Sequence, residues 1–224
     1  MILILNTIID QKARDHFTNV IAERITFGRS YFVMTLEDNI NLVSEFSHLL
    51  LSGSELSASN GSEWDGKIFT VIEHFLNHDK PILGICHGHQ IIAKAVCGDE
   101  AVCKSANPEF GWKQMKITKN RIFKKISQPI FLESRYDEVC FLDEKFEIIA
   151  INESSKIQAF QMKNKPVWGI QFHPEMLWED GNKMLENHFL QNPDDRIFYK
   201  NEMEDINLIN YNLNIFKNFW DCLR

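Results

Sequence analysis

Apolar and polar positions along this chain follow two rhythms that change near residue 108. In the first hundred residues, short apolar runs alternate with longer stretches whose apolar positions recur at helical spacing. Ile2–Asn6 reads as a strand, as do Tyr31–Leu36, His48–Leu51 and Pro81–Gly84. Between them, residues 10–25 carry Ala13, Phe17, Val20, Ile21 and Arg24 near helical spacing. Residues 64–76 place Trp64, Ile68, Val71, Ile72, Phe75 and Leu76 on one face, and His87–Val96 reads as a third helix. Strand–helix alternation of this kind predicts a parallel sheet covered by helices on both faces. The expected fold is a three-layer α/β/α domain with a mostly parallel central sheet.

Beyond residue 108 the runs are short and strand-like, with little helix between them: Gly111–Ile117, Ile130–Glu133, Val139–Leu142, Ile148–Asn152, Ile157–Met162 and Val167–Phe172. They predict an antiparallel or mixed extension of the same sheet. Residues 52–62, rich in Ser, Gly, Asn and Glu, are the clearest loop. Asn192-Pro193-Asp194-Asp195 breaks a polar stretch, and residues 206–223 predict a closing helix whose Phe216, Phe219 and Trp220 face the core. No linker or repeat divides the chain. The expectation is one domain over residues 1–224, with a catalytic core of residues 1–175 and a C-terminal helical extension over 176–224.

Composition narrows the function classes. The 224 residues are 44% hydrophobic and 25% charged, with a net charge of −7, which is ordinary globular usage. Without a basic block, nucleic acid is not an expected partner. No apolar run approaches the roughly 20 residues that span a bilayer. The apolar N-terminus lacks a basic n-region and a cleavage site, so it reads as a buried strand rather than a signal peptide. The five cysteines, Cys86, Cys97, Cys103, Cys140 and Cys222, are odd in number and contain no Cys-x-x-Cys pair. That argues against a disulfide framework and for a reducing cytoplasm.

Chemistry concentrates in two segments. Ile82-Leu83-Gly84-Ile85-Cys86-His87-Gly88-His89-Gln90 is an apolar strand running through Gly-x-Cys-x-Gly into a helix, the form of a nucleophile elbow. A thiol there lies at the positive end of a helix dipole, which favours thiolate. The His87 N–H, in the first helical turn, is placed to receive a developing oxyanion. A lone Gly-x-Cys-x-Gly is equally compatible with an inert buried thiol. The second segment changes the balance: Val167-Trp168-Gly169-Ile170-Gln171-Phe172-His173-Pro174-Glu175 is another apolar strand, ending in a His and, two residues on, a Glu. A thiol nucleophile needs a base, and the base needs a group that fixes its tautomer. His87 and His89 lack a third ligand at metal spacing, so neither a metal nor any other cofactor is expected.

Gly84-Ile85-Cys86-His87-Gly88-His89-Gln90 and Phe172-His173-Pro174-Glu175 together resemble the signature of the class I (triad) glutamine amidotransferases. The resemblance covers roughly residues 1–175, and within the family the chain looks most like free-standing proteins related to the glutaminase domain of GMP synthase. Asn107-Pro108-Glu109-Phe110-Gly111-Trp112 and Asp137-Glu138-Val139 are the supporting segments. The resemblance implies a flavodoxin-like fold and a role for each matching position. Cys86 would attack the glutamine carboxamide and release ammonia, leaving a γ-glutamyl thioester. His173 would be base and then acid, with Glu175 orienting it. The N–H groups of Gly53 and His87 would form the oxyanion hole. Gln90 and the backbone of Ser134, Arg135 and Tyr136 would hold the substrate.

Two departures bear on the substrate. Ser54-Glu55 stands where the family has a second Gly and a Pro, and Arg135-Tyr136 where it commonly has a His and a small residue. Three readings follow. The first is a glutamine amidotransferase that passes ammonia to a separate ATP-dependent synthetase, since the chain carries no phosphate-binding loop. The second is a self-sufficient γ-glutamyl peptide or γ-glutamyl amine hydrolase using the same triad, which both departures favour. The third is a non-catalytic regulatory subunit, which the intact Cys86, His173 and Glu175 disfavour.

Overall fold

β1 (Ile2–Asn6) is buried along its whole length, and its side chains divide between two cores. That division sets the layers of the molecule, because successive strand residues face opposite sides of a sheet. The computed structural model describes residues 1–39 and 45–222. On one face, Leu3 and Leu5 join Leu49 and Leu51 of β3 (His48–Leu51). They pack against Ile68, Val71, Ile72 and Phe75 of α3 (Asp65–Asn77) and Ile91 and Ile92 of α4 (His87–Cys97). On the other face, Ile2 and Ile4 join Leu50 and, from β4 (Ile82–Ile85), Leu83 and Ile85. These meet Phe17, Ile21 and Ile25 from the first helical segment and Ile215, Phe216 and Phe219 of α6 (Asn214–Trp220). The first segment is α1 (Gln11–His16), a wide π-type turn over Phe17–Ile21, and α2 (Ala22–Thr26).

Among the described residues, the central sheet has eight strands. β2 (Tyr31–Thr35), β1, β3, β4 and β10 (Val167–Ile170) run parallel. β9 (Ala159–Met162), β8 (Phe146–Ile151) and β6 (Lys116–Ile117) extend it antiparallel. The mostly parallel α/β architecture read from the sequence is present, and residues 52–62 carry no strand or helix. β10 enters between β4 and β9, so the two strands that carry the chemical segments are neighbours, with Gly84 opposite Gly169 and Ile85 opposite Ile170.

The later strands do not all join this sheet. β5 (Val102–Gln114) and β7 (Ile130–Val139) pair antiparallel, and β11 (Tyr199–Asn201) adds to β5 in parallel, giving a separate three-stranded sheet. The runs expected at Ile130–Glu133 and Val139–Leu142 are therefore one strand followed by non-strand residues. The small sheet has its own core, with Phe110, Trp112, Ile130 and Leu132 against Leu185 and Phe189 of α5 (Trp178–Gln191) and Ile209. The closing helix expected over residues 206–223 is a 3₁₀ turn over Ile206–Leu213 followed by α6, and Leu223 lies outside the described residues. The aromatic stripe does face the core, and Trp220 Nε1 donates to the Ile25 carbonyl at 2.7 Å.

Candidate active site

Cys86 sits between β4 and α4 with φ 50° and ψ −106°. A side chain with a β-carbon rarely adopts positive φ, and such strain clusters where a turn must present a reacting group. The surroundings hold it there. Cys86 N–H donates to the Ile170 carbonyl of β10 at 2.8 Å, and Gln90 N–H closes the first turn of α4 onto the Cys86 carbonyl at 3.1 Å. The flanking glycines are required by close approach. A β-carbon at Gly84 would run into the Gly88 carbonyl, and one at Gly88 would lie 2.7 Å from Leu51 Cβ.

β10 delivers the partner groups. His173 N–H donates to the Leu132 carbonyl of β7 at 2.9 Å, which docks the segment after β10 onto the small sheet. His173 Nδ1 lies 2.7 Å from Glu175 Oε1, and both side chains are almost fully buried. Burial alone would lower the imidazole's pKa. The Glu175 charge and the adjacent Cys86 thiol outweigh it and hold His173 well above the ordinary histidine value. Arg24 of α2 donates to the Glu175 carbonyl at 3.3 Å and to Asp180 Oδ2 at 2.7 Å, bracing this turn against the helix layer.

Gly53 closes the site from the end of β3. A β-carbon there would lie 2.9 Å from His173 Cε1 and 3.5 Å from Cys86 Cβ, so the loop backbone touches both side chains. Its own carbonyl accepts from Thr7 Oγ1 at 3.2 Å and Ser52 Oγ at 2.8 Å. Ser54, at the position of the first departure, donates from Oγ to the Thr7 carbonyl at 2.6 Å. Glu55 accepts from the Ile9 and Asp10 N–H groups at 3.0 and 3.2 Å, at the start of α1. The departure from Gly-Pro is thus absorbed by the scaffold.

The remaining expected residues line up along β7. Gln90 is buried, and its amide nitrogen donates to the Asp137 carbonyl and to Gln171 Oε1, each at 3.0 Å. β7 is therefore tied to the His173 segment at Leu132 and to α4 at Asp137, and Ser134, Arg135 and Tyr136 lie between these ties. The Arg135 side chain turns inward to an ion pair with Glu109, with Glu138 at 3.6 Å and Glu133 at 3.9 Å. Tyr136 is 42% exposed, and its hydroxyl donates to Asp195. His87 and His89 are buried, and burial holds them down at about 4 and about 3. Among the described residues, no group of three or more His, Cys, Asp or Glu side chains is arranged to hold a metal ion.

Gln171 was missed by the sequence reading. Its Nε2 lies 3.5 Å from Cys86 Sγ while its Oε1 accepts from Gln90, a chain of polar contacts from β7 to the thiol. A polar residue in an apolar strand, two positions before the histidine, was the available signal.

An elbow thiol, a buried His–Glu pair and a glycine loop packed against both define a candidate thiol-dependent hydrolytic site on an α/β/α scaffold. The family model described as glutamine amidotransferase class-I matches residues 12–192, and the chain belongs to that family. Among curated relatives, it is 30% identical over 163 residues to a glutamine-hydrolysing GMP synthase subunit of Sulfurisphaera tokodaii, covering 71% of this chain and 84% of that one. The protein of the same name from Pyrococcus furiosus is 32% identical over 152 residues, covering 66% and 80%. Among solved structures, a glutamine amidotransferase from Thermotoga maritima superposes with a TM-score of 0.73 at 17% identity, covering 98% of both chains. The protein SMU.1228c does so with a TM-score of 0.77 at 17% identity, covering 97% and 98%. At these identities the structural likeness is one of fold.

Proposed function

We propose that this class I glutamine amidotransferase hydrolyses the side-chain amide of glutamine through a thioester on Cys86, and that the ammonia passes to a separate ATP-dependent synthetase. The observation that carries the chemistry is the 2.7 Å His173–Glu175 contact beside a thiol held at positive φ. A protonated imidazole and a thiolate stabilise each other, and the strained turn aims the sulfur away from its own strand. The Cys86 sulfur attacks the carboxamide carbon, and the oxyanion is received by the N–H groups of Gly53 and His87. The His173 imidazolium gives its proton to the departing nitrogen, the C–N bond breaks, and ammonia leaves. Neutral His173 then takes a proton from water as the hydroxyl adds to the thioester carbon. Collapse releases glutamate and restores the thiolate–imidazolium pair.

The backbone of Ser134, Arg135 and Tyr136 is the proposed seat of the amino-acid end, since β7 runs along the site between its ties to His173 and Gln90. Gln90 would support that seat rather than reach the substrate with its nitrogen, whose two protons are engaged by protein groups. The γ-glutamyl peptide or amine reading draws on Ser54-Glu55 and Arg135-Tyr136. All four side chains bond within the protein, Ser54 to the Thr7 carbonyl, Glu55 to the α1 start, Arg135 to Glu109 and Tyr136 to Asp195, which favours glutamine. The synthetase partner is proposed from the likeness to the glutamine-hydrolysing subunits of GMP synthase.

The test is ammonia release from glutamine by the wild type and Cys86→Ala, with γ-glutamyl peptides assayed in parallel. A loss of about 10³-fold or more is expected for removing a covalent nucleophile. Equal rates in the two proteins would refute the mechanism, and a wild-type preference for the peptides would refute glutamine as substrate. Co-purification with an ATP-dependent synthetase tests the partner.

A further inference from the structure

Glu133 is a carboxyl group that the mechanism above does not use. It lies on β7 between Leu132, whose carbonyl anchors His173, and Ser134, at the start of the proposed substrate seat. It is fully buried, and neither of its oxygens has a hydrogen-bond partner in the structure. A buried carboxyl without partners costs free energy, so its retention calls for an account. Across the small sheet it faces Gly111, and the absence of a side chain there leaves its face of the sheet to a set of charged groups. Glu109 and Lys113 of β5 face it from one side and Arg135 from its own strand, with the Arg135 Nε atom 3.9 Å away. His173 faces it from the segment after β10. On α4, the neutral His89 lies within the field of Arg135.

We propose that Glu133 is a positioning residue that acts on His173 through the protein interior and sets the alkaline limit of the triad. The inference rests on the triad reading given above.

The charges explain how it acts. Burial first, and then the neighbouring Glu109 charge, push the Glu133 carboxyl up to about 8, against the pull of Arg135, His173 and Lys113. Glu109 is committed elsewhere, its oxygens accepting from Arg135, Asn152 and Gln158. Near neutral pH, Glu133 is uncharged and leaves the thiolate–imidazolium pair to Glu175. As pH rises it ionises, and its negative charge then holds the proton on His173 at the point where the pair would otherwise be lost.

The test follows His173 directly, by the pH titration of its ring carbon in protein labelled with ¹³C-histidine. The signal is assigned by its loss in His173→Asn. Wild type, Glu133→Gln and Glu133→Met are compared. The expected result is a His173 midpoint lowered by about half a unit to one unit in both Glu133 variants. Glutamine hydrolysis should stay within about twofold of wild type near pH 6.5, with its alkaline limb moved down by the same amount. A merely structural role for Glu133 would change thermal stability and leave the midpoint in place. Midpoints within about 0.2 unit of wild type would overturn the proposal. If glutamine is not turned over by the wild type, the function proposed above fails, while the titration still decides the role of Glu133. Glu133→Met, which replaces the carboxyl with an apolar chain of similar size, keeps the test open if the Gln variant does not fold.

Discussion

Gly53→Ala isolates the space beside the triad from the backbone that frames it. Gly53 does not have positive φ, so alanine is allowed by the backbone, and the N–H proposed for the oxyanion hole is retained. The only change is one methyl group, 2.9 Å from His173 Cε1 and 3.5 Å from Cys86 Cβ. An ordinary carbon–carbon contact begins near 3.4 Å, so the imidazole or the loop must yield by about half an ångström. The loop is held by bonds from Thr7 and Ser52 to the Gly53 carbonyl. The imidazole is held by the 2.7 Å contact with Glu175 and by the strand bond to Leu132. Either shift disturbs the alignment of sulfur, imidazole and oxyanion donors together. Misplacement on this scale costs on the order of 10²-fold in rate, or about 2.7 kcal/mol of barrier. The assay is kcat/KM for glutamine, with the urea midpoint measured in parallel. The expected outcome is a fall of about 30- to 300-fold in kcat/KM with a stability loss of about 1 kcal/mol or less. A folded variant with activity within threefold of wild type would refute the claim that Gly53 is packed against the working triad.

Glu175→Gln keeps the shape of the His173 partner and removes its charge. Hydrolysis should fall by about 10²- to 10⁴-fold, and the His173 titration should move towards the ordinary histidine range. The same pair has a stability signature. The folded value of His173 is raised, so the contribution of its ion pair is fully present below about pH 6.5 and is lost as pH rises through the raised value. Glu175→Gln should therefore destabilise the protein more at pH 6 than on the alkaline side of the His173 titration, as read from urea melts. His87 and His89 act in the opposite sense. Burial holds them neutral to about 4 and about 3, whereas unfolded histidines protonate near 6.5. Stability should fall as pH drops from about 6.5 towards 4, and His87→Gln should flatten that slope. Phe219→Ala removes a fully buried ring between α6 and the sheet and should cost about 3–5 kcal/mol in a denaturant melt.

The elbow and its sheet were legible because each is local. Gly84 and Gly88 sit where a β-carbon has no room, and the apolar runs that became β1, β3, β4 and β10 are buried on both faces, which leaves them without polar interruption. The small sheet was not legible. Residues 102–114 and 130–139 mix charged and apolar positions, and period-two alternation says that a strand exists without saying which strand it joins. Nothing in the sequence marks Glu109, Glu133 and Arg135 on those strands as inward-facing, but the fold buries all three and pairs Arg135 with Glu109. Gln171 stands out in the sequence only as a polar residue in an apolar run, which does not say that it reaches Cys86. A 3₁₀ turn at Ile206–Leu213 replaces part of the expected helix; Asp205 caps its start by accepting from the Asn207 N–H, and Asn212 Nδ2 is committed to the Ile130 carbonyl.

The position of β10 has a consequence for how the protein comes into being. The strand that presents His173 is the last to enter the central sheet, and it lies between β4 and β9, both made earlier. A ribosome-bound chain that has reached residue 160 holds Cys86 and α4 but not His173, and its sheet is open beside β4. The thiol of such a chain therefore lacks the base proposed for it, and the proposed hydrolysis of glutamine waits until the sheet closes. Joining strands more than eighty residues apart is also slow, since the loop entropy must be met before the pairing is gained. Activity should appear in one late step, together with the closing of the sheet.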